Sequence, residues 1–326
     1  MKNLEYYLDG IKNKNLRVLS QAITLVESNQ VQDRVLGSKL LENLSKCKSN
    51  NIRIGITGTP GVGKSTFIEA FGLELLKKYD KICVLAVDPS SKRTGGSILG
   101  DKTRMPLLSR EKNCFIRPTP NRSNLGGVAS ATKEAIILCE AFGYDVILIE
   151  TVGVGQSETI VSSMVDFFLL LLLPSSGDEL QGIKKGVMEL ADTIFINKSD
   201  IDLNKAKIKK NQIEMALHLF KSKTNFWTCN TITGSSLKYD GIKDVCDIID
   251  SFIAESKSNK YFEQNRKVQN LEWFDNLLSI SILDEIEQQD WYIKLKRLAY
   301  NNITNKDSLS VLEAHKIVNE IKQRLK

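Results

Sequence analysis

This chain of 326 residues is poor in the side chains that most metal and acid–base sites require. It contains only two histidines, which argues against a Ser-His-Asp triad and an H-E-x-x-H zinc site. Its six cysteines are widely spaced with no C-x-x-C pair, so we expect free thiols rather than disulfides or a zinc site. The longest apolar run, residues 167–173, is far too short to cross a bilayer. The first residues lack the apolar core of a signal peptide, so we expect a cytoplasmic protein that makes no membrane contact.

A strong excess of one charge is also missing. The net charge is only +6, from 45 basic and 39 acidic residues that are interleaved along the chain. We therefore expect no nucleic-acid partner, because a concentrated basic surface is the usual signature of one. Hydrophobic residues make up 42% and charged residues 26%, as in ordinary globular proteins. The length suits one large domain with additions, or two domains.

The central part of the chain, residues 49–256, alternates short apolar runs with longer amphipathic stretches. Continuously apolar strands joined by helices predict an α/β fold, with a mostly parallel sheet covered by helices on both faces. Ligands bind such sheets at the carboxyl ends of the strands. The predicted strands are 52–57, 82–87, 114–117, 145–150, 167–173, 193–197 and 226–229, and the predicted helices are 65–79, 130–142, 182–190 and 205–221.

Both ends of the chain show helical periodicity without intervening strands. We predict an N-terminal helical extension over residues 1–48 and a C-terminal helical segment over residues 257–326. For the C-terminal segment two interpretations stay open on the pattern alone. Its helices either pack back onto the sheet or form an arm that holds a second copy of the chain.

The first predicted strand runs directly into a glycine-rich loop and then a helix. The loop matches G-x-x-x-x-G-K-[ST], which predicts a P-loop NTPase. Its backbone N–H groups can surround phosphate oxygens, Lys64 can reach the β- and γ-phosphates, and Ser65 can bind Mg²⁺. The predicted phosphate-binding residues are Gly58, Thr59, Pro60, Gly61, Val62, Gly63, Lys64, Ser65 and Thr66.

A base-recognition element follows the sixth predicted strand. The tetrapeptide Asn197-Lys198-Ser199-Asp200 fits N-K-x-D, in which the aspartate accepts two hydrogen bonds from guanine. Adenine offers no such donor pair, so the site would reject ATP. The simpler alternative is that Asp200 caps a helix. Because the predicted seventh strand ends at residue 229, we expect the last guanine-contacting loop at Asn230, Thr231 and Ile232.

The fourth predicted strand ends in E-T-V-G, residues 150–153, where many GTPases carry D-x-x-G. Glu150 can hold the Mg²⁺ shell, and the Gly153 amide can bond to the γ-phosphate. Val154 stands where small GTPases place the glutamine that orients the attacking water. We therefore expect slow intrinsic hydrolysis that a partner or a rearrangement accelerates.

A long Gly/Ser-rich loop after the second predicted strand is a second switch candidate, and the alternative is a solvated flexible loop. Asp88 and Asp101 lie in it as candidate Mg²⁺ or water ligands. Residues 177–186 are a candidate third moving loop. The predicted catalytic residues are therefore Lys64, Asp101, Glu150 and Gly153, and the predicted Mg²⁺ ligands are Ser65, Asp88, Asp101 and Glu150.

Together these segments resemble the methylmalonyl-CoA mutase-associated GTPases, the MeaB/ArgK/MMAA group. The stretch G-G-S-I-L-G-D-K-T-R-M at residues 95–105 is far more specific than the phosphate loop. The resemblance covers residues 16–256 well. The matching segments are 56–66, 88–91, 95–105, 125–129, 150–158, 177–182 and 197–200.

The resemblance implies a homodimeric GTPase that binds GTP or GDP with Mg²⁺. It also implies a partner, an adenosylcobalamin-dependent acyl-CoA mutase, whose cofactor loading the GTPase gates or whose cofactor it protects. By this match Ser65, Asp101 and Glu150 surround Mg²⁺, and Asp178 and Lys185 belong to the third switch. The C-terminal helices would be the dimerisation arm.

Two other functions compete with the chaperone. One is a transport-associated kinase that phosphorylates a periplasmic binding protein with ATP, which the N-K-x-D element disfavours. The other is a nickel-insertion GTPase, which would need the His or Cys clusters that this chain does not have. A nucleotide competition assay separates the kinase from the GTPases.

Overall fold

The structure is a computed structural model of the whole chain. It describes residues 2–28, 30–45, 50–87, 104–119, 125–151, 157–175, 184–220, 222–305 and 307–324. The chain forms two compact units, Met1–Asn270 and Leu271–Lys326. Among the described helices, none has the length and apolar character needed to span a membrane.

A parallel sheet forms the centre of the first unit, as predicted. It has seven strands in the order β3-β2-β4-β1-β5-β6-β7, and every neighbouring pair is parallel. The strand β1 lies in the middle, so the loop that follows it opens at the centre of the carboxyl edge. The strands are β1 Ile52–Gly58, β2 Ile82–Val87, β3 Cys114–Thr119, β4 Val146–Thr151, β5 Phe167–Leu172, β6 Thr193–Ile196 and β7 Asn230–Thr233.

Helices cover both faces of this sheet and confirm the α/β P-loop NTPase class. One buried apolar cluster joins the three N-terminal helices to α5 and the sheet, and a second joins α4 and α9 to the opposite face. The helices are α1 Leu4–Lys12, α2 Leu16–Glu27, α3 Val31–Leu44, α4 Lys64–Leu75, α5 Leu125–Phe142, α6 Ser157–Ser162, α7 Lys184–Leu190, α8 Leu203–Leu217, α9 Ile242–Ser258, α10 Tyr261–Glu287, α11 Asp290–Asn305 and α12 Ser310–Arg324.

An aspartate precedes each of the strands β4, β5 and β6 and ties it to its surroundings at the amino edge of the sheet. Each carboxylate accepts a hydrogen bond from a backbone N–H within one residue of the start of another strand. These bonds hold the register at the edge opposite the phosphate loop. They are Lys81 N to Asp145 (2.9 Å), Arg53 N to Asp166 (2.8 Å) and Phe168 N to Asp192 (2.8 Å).

The seventh strand does not lie where the sequence predicted it. The prediction placed it at 226–229, but β7 is Asn230–Thr233. The aromatic residues that suggested a strand instead pack on α9, where the rings of Phe226 and Trp227 contact Phe252 at 6.0 and 5.1 Å between centroids. Aromatic side chains are common both in strands and in buried contacts with helices. Their presence alone therefore could not locate the strand.

The second unit comprises the remainder of α10 from residue 271, α11 and α12. A buried carboxylate, Glu313, organises the contact between α11 and α12. It accepts hydrogen bonds from Lys316 (2.6 Å), Ser308 (2.8 Å) and Asn302 (3.3 Å). These donors lower the pKa of Glu313 to about 2, with the Lys316 hydrogen bond as the main cause.

This lowered pKa predicts an acid-sensitive contact. Because the folded-state pKa lies below the ordinary value of 4.5, the stabilisation is complete above that pH and is lost as the pH falls towards 2. Glu313→Gln should therefore loosen α12 at neutral pH but make less difference at pH 3. Hydrogen exchange of residues 310–324 at several pH values measures this. An equal difference between wild type and variant at every pH would contradict it.

Candidate nucleotide site

The phosphate loop joins β1, which ends at Gly58, to α4, which begins at Lys64. Gly63 caps α4 with φ +94°, a conformation that side-chain-bearing residues rarely adopt. A Cβ there would also lie 2.8 Å from the Asn197 amide nitrogen. The glycine is therefore required both for the turn and for the approach of the base-recognition element. Val62 is buried beneath the loop, and Pro60 and Thr66 are exposed.

The side chain of Lys64 points into the phosphate loop. Its side chain is buried, and Nζ donates to the carbonyls of Gly58 (2.7 Å) and Thr59 (3.3 Å). Burial lowers the pKa of Lys64, and the charges of Glu150 and Glu158 act against that shift.

A hydroxyl and a carboxylate meet beside the loop. Ser65, in the first turn of α4, donates to the Glu150 carboxylate at 3.5 Å. Glu150 is buried on β4, between β1 and β2 in the sheet. Oxygen ligands of this kind are those that Mg²⁺ prefers, and magnesium usually takes few of them from protein beside water and phosphate. The pair therefore fits a magnesium ion that Ser65 and Glu150 share with a nucleotide.

The N-K-x-D segment leaves the end of β6 and contacts the phosphate loop directly. The Asn197 amide donates to the Val62 carbonyl at 2.8 Å, and Lys198 Nζ donates to the Gly61 carbonyl at 2.8 Å. Lys198 holds a φ of +62°, which turns the chain sharply after the strand. The structure thus brings the predicted phosphate and base elements together.

Asp200 is exposed at the end of this segment, where a base can reach it. The residue before it, Ser199, is buried and donates its N–H to the Gly234 carbonyl at 3.0 Å. Helix capping, the simpler role considered for Asp200, belongs to Asp202 instead. Asp202 is the N-cap of α8 and accepts from the Lys205 N–H.

The residues predicted as the guanine loop, Asn230, Thr231 and Ile232, form β7 itself, so their predicted contact with the base stays a prediction. The loop at the carboxyl end of β7 begins instead at Gly234 and includes Ser236. Asn197 Oδ1 accepts from the Ser236 N–H (2.9 Å) and hydroxyl (2.8 Å). The signal that could have found it is the run of β-branched residues at 231–233, which favours a strand, followed by G-S-S.

Glu158, like Ser236, lies near the predicted site although no motif in the sequence indicates a role for it. It lies on the short helix α6 that follows the E-T-V-G segment, and it is buried. Its charge, like that of Glu150, favours the charged form of Lys64 and so raises the pKa of that lysine against the effect of burial. A glutamate in the first turn of a helix usually compensates the helix dipole. The sequence pattern therefore did not indicate that Glu158 lies near the phosphate loop.

Several predicted site residues lie outside the described residues. They include Asp88 and Asp101 of the long loop, Gly153 of the E-T-V-G segment and Asp178 of the third loop. Their predicted roles therefore stay predictions.

Comparison with known proteins identifies the family of this chain. A family described as "Methylmalonyl Co-A mutase-associated GTPase MeaB" matches residues 19–290. The chain is 45% identical to "GTPase ArgK" of Escherichia coli over 290 residues, 88% of each protein. It is 44% identical to the mitochondrial "Methylmalonic aciduria type A homolog" of Mus musculus over 289 residues, 85% of this chain and 70% of that protein.

A solved structure has a similar fold along nearly the whole chain. The "Crystal structure of LAO/AO transport system kinase" matches with a TM-score of 0.76 and 34% identity, over 98% of this chain and 97% of that one. Together with the P-loop and the N-K-x-D segment that contacts it, these matches establish the family. The chain belongs to the MeaB family of P-loop GTPases, which includes the proteins named ArgK and methylmalonic aciduria type A homolog.

Proposed function

We propose that this protein is a GTP-driven chaperone for an adenosylcobalamin-dependent acyl-CoA mutase of the methylmalonyl-CoA mutase type. It gates the loading of the cofactor into that enzyme or protects the bound cofactor. The observation that carries the proposal is the match of residues 19–290 to a mutase-associated GTPase family. The chain contains no D-x-H-x-x-G cobalamin motif, so contact with the cofactor runs through the partner.

The nucleotide site supports GTP as the driving ligand. Asn197 and Lys198 attach the guanine-recognition segment to the loop that holds the phosphates. Base recognition and phosphate binding would therefore be linked directly, so the site can respond to both ends of the nucleotide. Mg²⁺ would be held by Ser65 and Glu150, and when bound it neutralises charge on the β- and γ-phosphates.

The second unit supports a homodimer. Each of its helices exposes large apolar side chains, among them Leu278, Leu298 and Leu312. Apolar surface of this extent usually marks an interface. The C-terminal helices are therefore proposed to act as a dimerisation arm.

Intrinsic hydrolysis is expected to be slow, below about 1 s⁻¹, as in GTPases that lack a helper residue supplied by a partner. The reason is that Val154 replaces the water-orienting glutamine of small GTPases. Phosphate release from the purified protein with Mg²⁺ and GTP measures the rate, and addition of the mutase should raise it. Faster turnover by the isolated protein would contradict this expectation.

A direct binding measurement with the mutase tests the proposed chaperone function. The purified acyl-CoA mutase of the same organism is titrated into the protein loaded with a non-hydrolysable GTP analogue, and separately with GDP. Binding whose affinity depends on the nucleotide supports the proposal. Absence of binding in both states removes its main support.

A transport-associated kinase is the second candidate, because the similar solved structure carries that name. Such an enzyme would use ATP to phosphorylate a periplasmic binding protein. Competition between GTP and ATP for the site, followed by a search for phosphate transfer from each nucleotide, separates the two functions. The N-K-x-D segment favours GTP.

A further inference from the structure

Helix α8 of the first unit has a row of apolar side chains on its solvent side. Ile208 is 58% exposed, Met215 73% and Leu219, just past the helix end, 85%. Their spacing of seven and then four residues places them within about 40° of one another around a helix axis. This is the spacing of one side of a coiled-coil seam. Helix α8 therefore offers another helix an apolar strip of three side chains, with Gln212 between Ile208 and Met215 on the same side.

The rim of this strip is basic. Helix α8 contains four lysines and a single glutamate. Lys205 and Lys207 are both exposed, and they lie about 60° and 100° to either side of Ile208 around the axis. A helix that covers the strip would therefore be favoured by acidic flanks.

An acidic helix with a matching strip exists in the second unit. Residues 271–287 of α10 contain five acidic and no basic residues. Four of their five exposed large apolar side chains lie on one side of the helix, namely Leu271, Phe274, Leu278 and Ile282, whereas Leu283 points elsewhere. Asp275 and Glu285 lie about 40° to either side of Leu271 around the axis. Within the described parts of the chain, neither of these two carboxylates makes an ion pair.

The two strips also agree in length. The strip from Ile208 to Leu219 and that from Leu271 to Ile282 each span eleven steps of the chain, about 16 Å along a helix. Two copies of α8 would repel each other through their lysines. Two copies of residues 271–287 would repel through their carboxylates. The complementary pairing is therefore α8 with residues 271–287.

We propose that α8 is the docking surface for residues 271–287 of a second copy of this chain. In a twofold dimer each copy both offers its α8 and inserts its acidic helix, so the contact occurs twice. The inference rests on the homodimer of the proposed function and names the surface that receives the arm. It also places the dimer contact directly after the guanine-recognition segment, because α8 begins three residues beyond Asp200.

Sedimentation equilibrium of the full chain tests the apolar part of the contact. Met215→Glu together with Leu219→Glu should weaken the dimer by about 30-fold or more, because two exposed strips lose apolar burial and gain like charge. Val35→Glu is the matched control, since Val35 is a similarly exposed apolar residue on α3. The control should change the dimer constant less than about twofold. GTP binding reports that each variant is folded.

A charge exchange tests the pairing itself. Lys205→Glu with Lys207→Glu should weaken the dimer, and so should Asp275→Lys with Glu285→Lys. The chain that carries all four changes should dimerise better than either pair alone, because opposite charges face each other again. A role of these residues in folding alone would not produce such recovery.

The outcomes separate this inference from the function on which it rests. A wild-type chain that stays monomeric overturns the proposed homodimer. A wild-type dimer that the α8 variants leave intact overturns the docking surface only. α8 variants that keep the dimer but lose the mutase would also overturn it, by assigning the strip to the other partner.

Discussion

Replacement of Asp200 by alanine is expected to lower the preference for GTP over ATP by about 1,000-fold or more, mostly through loss of GTP affinity. The carboxylate accepts hydrogen bonds from two guanine groups that adenine lacks. A site built on such polar pairing discriminates strongly, because a bound base covers the carboxylate and the wrong base then leaves it without its hydrogen-bond partners. ATP affinity should change little, since adenine never makes these bonds.

Titration calorimetry of Mg²⁺-GTP and Mg²⁺-ATP with wild type and variant measures the effect. Asp202→Ala is a close control, because Asp202 lies two residues away but caps α8. Its loss should lower the stability of α8 slightly, through loss of the helix cap, and leave the GTP preference unchanged. Equal loss of preference in both variants would show that the segment, rather than the Asp200 carboxylate, selects the base.

The parts of this site that follow from local sequence were predictable. The phosphate loop needs glycines at fixed positions and a lysine at the start of a helix, so G-x-x-x-x-G-K-[ST] identifies it wherever it follows a strand. The contact between Asn197 and Val62 joins residues 135 positions apart. It was still foreseeable in outline, because both segments leave the same edge of a parallel sheet.

The parts that depend on tertiary packing were not predictable. Phe226 and Trp227 are as suitable for a strand as for packing on a helix, and only α9 decides between the two. Because β7 lies four residues later than predicted, Asn230, Thr231 and Ile232 fall in the sheet rather than in the loop after it. Ser236 then became the residue that contacts Asn197, a relation that no short pattern within either segment indicates.

The buried ion network at the amino edge of the sheet was equally invisible in the sequence. Arg266 of α10 donates from Nε and Nη2 to the two oxygens of Asp166, at 2.7 and 2.6 Å. Nη2 also donates to the Asn51 carbonyl at 2.9 Å. Arg53 of β1 donates to Glu140 of α5 at 2.7 Å. These contacts connect the first turns of α10 to the start of β1, the strand that leads to the phosphate loop.

Arg266→Met is therefore expected to destabilise the first unit by about 3–5 kcal/mol, because it leaves a buried carboxylate without its cation. The Asp166 side chain is only 2% exposed, so water cannot replace the guanidinium. Urea unfolding followed by Trp227 fluorescence, with Trp273 and Trp291 replaced by phenylalanine, reports on the first unit alone. Its midpoint should fall, and the slope should stay the same.

Asp166→Asn added to Arg266→Met should restore part of the loss, because it removes the stranded charge and keeps an oxygen for the Arg53 N–H. Arg324→Met is the surface control, since its partner Glu320 lies one turn away and both are partly exposed. That change should cost less than about 1 kcal/mol. If Arg266→Met lowered the free energy of unfolding no more than Arg324→Met, the ion network would not stabilise the first unit, and the apolar contacts of α10 would hold that helix instead. A large loss with no recovery in the double variant would assign the stabilisation to the packing of the Arg266 side chain on the Phe262 ring, 4.4 Å away, rather than to its charge.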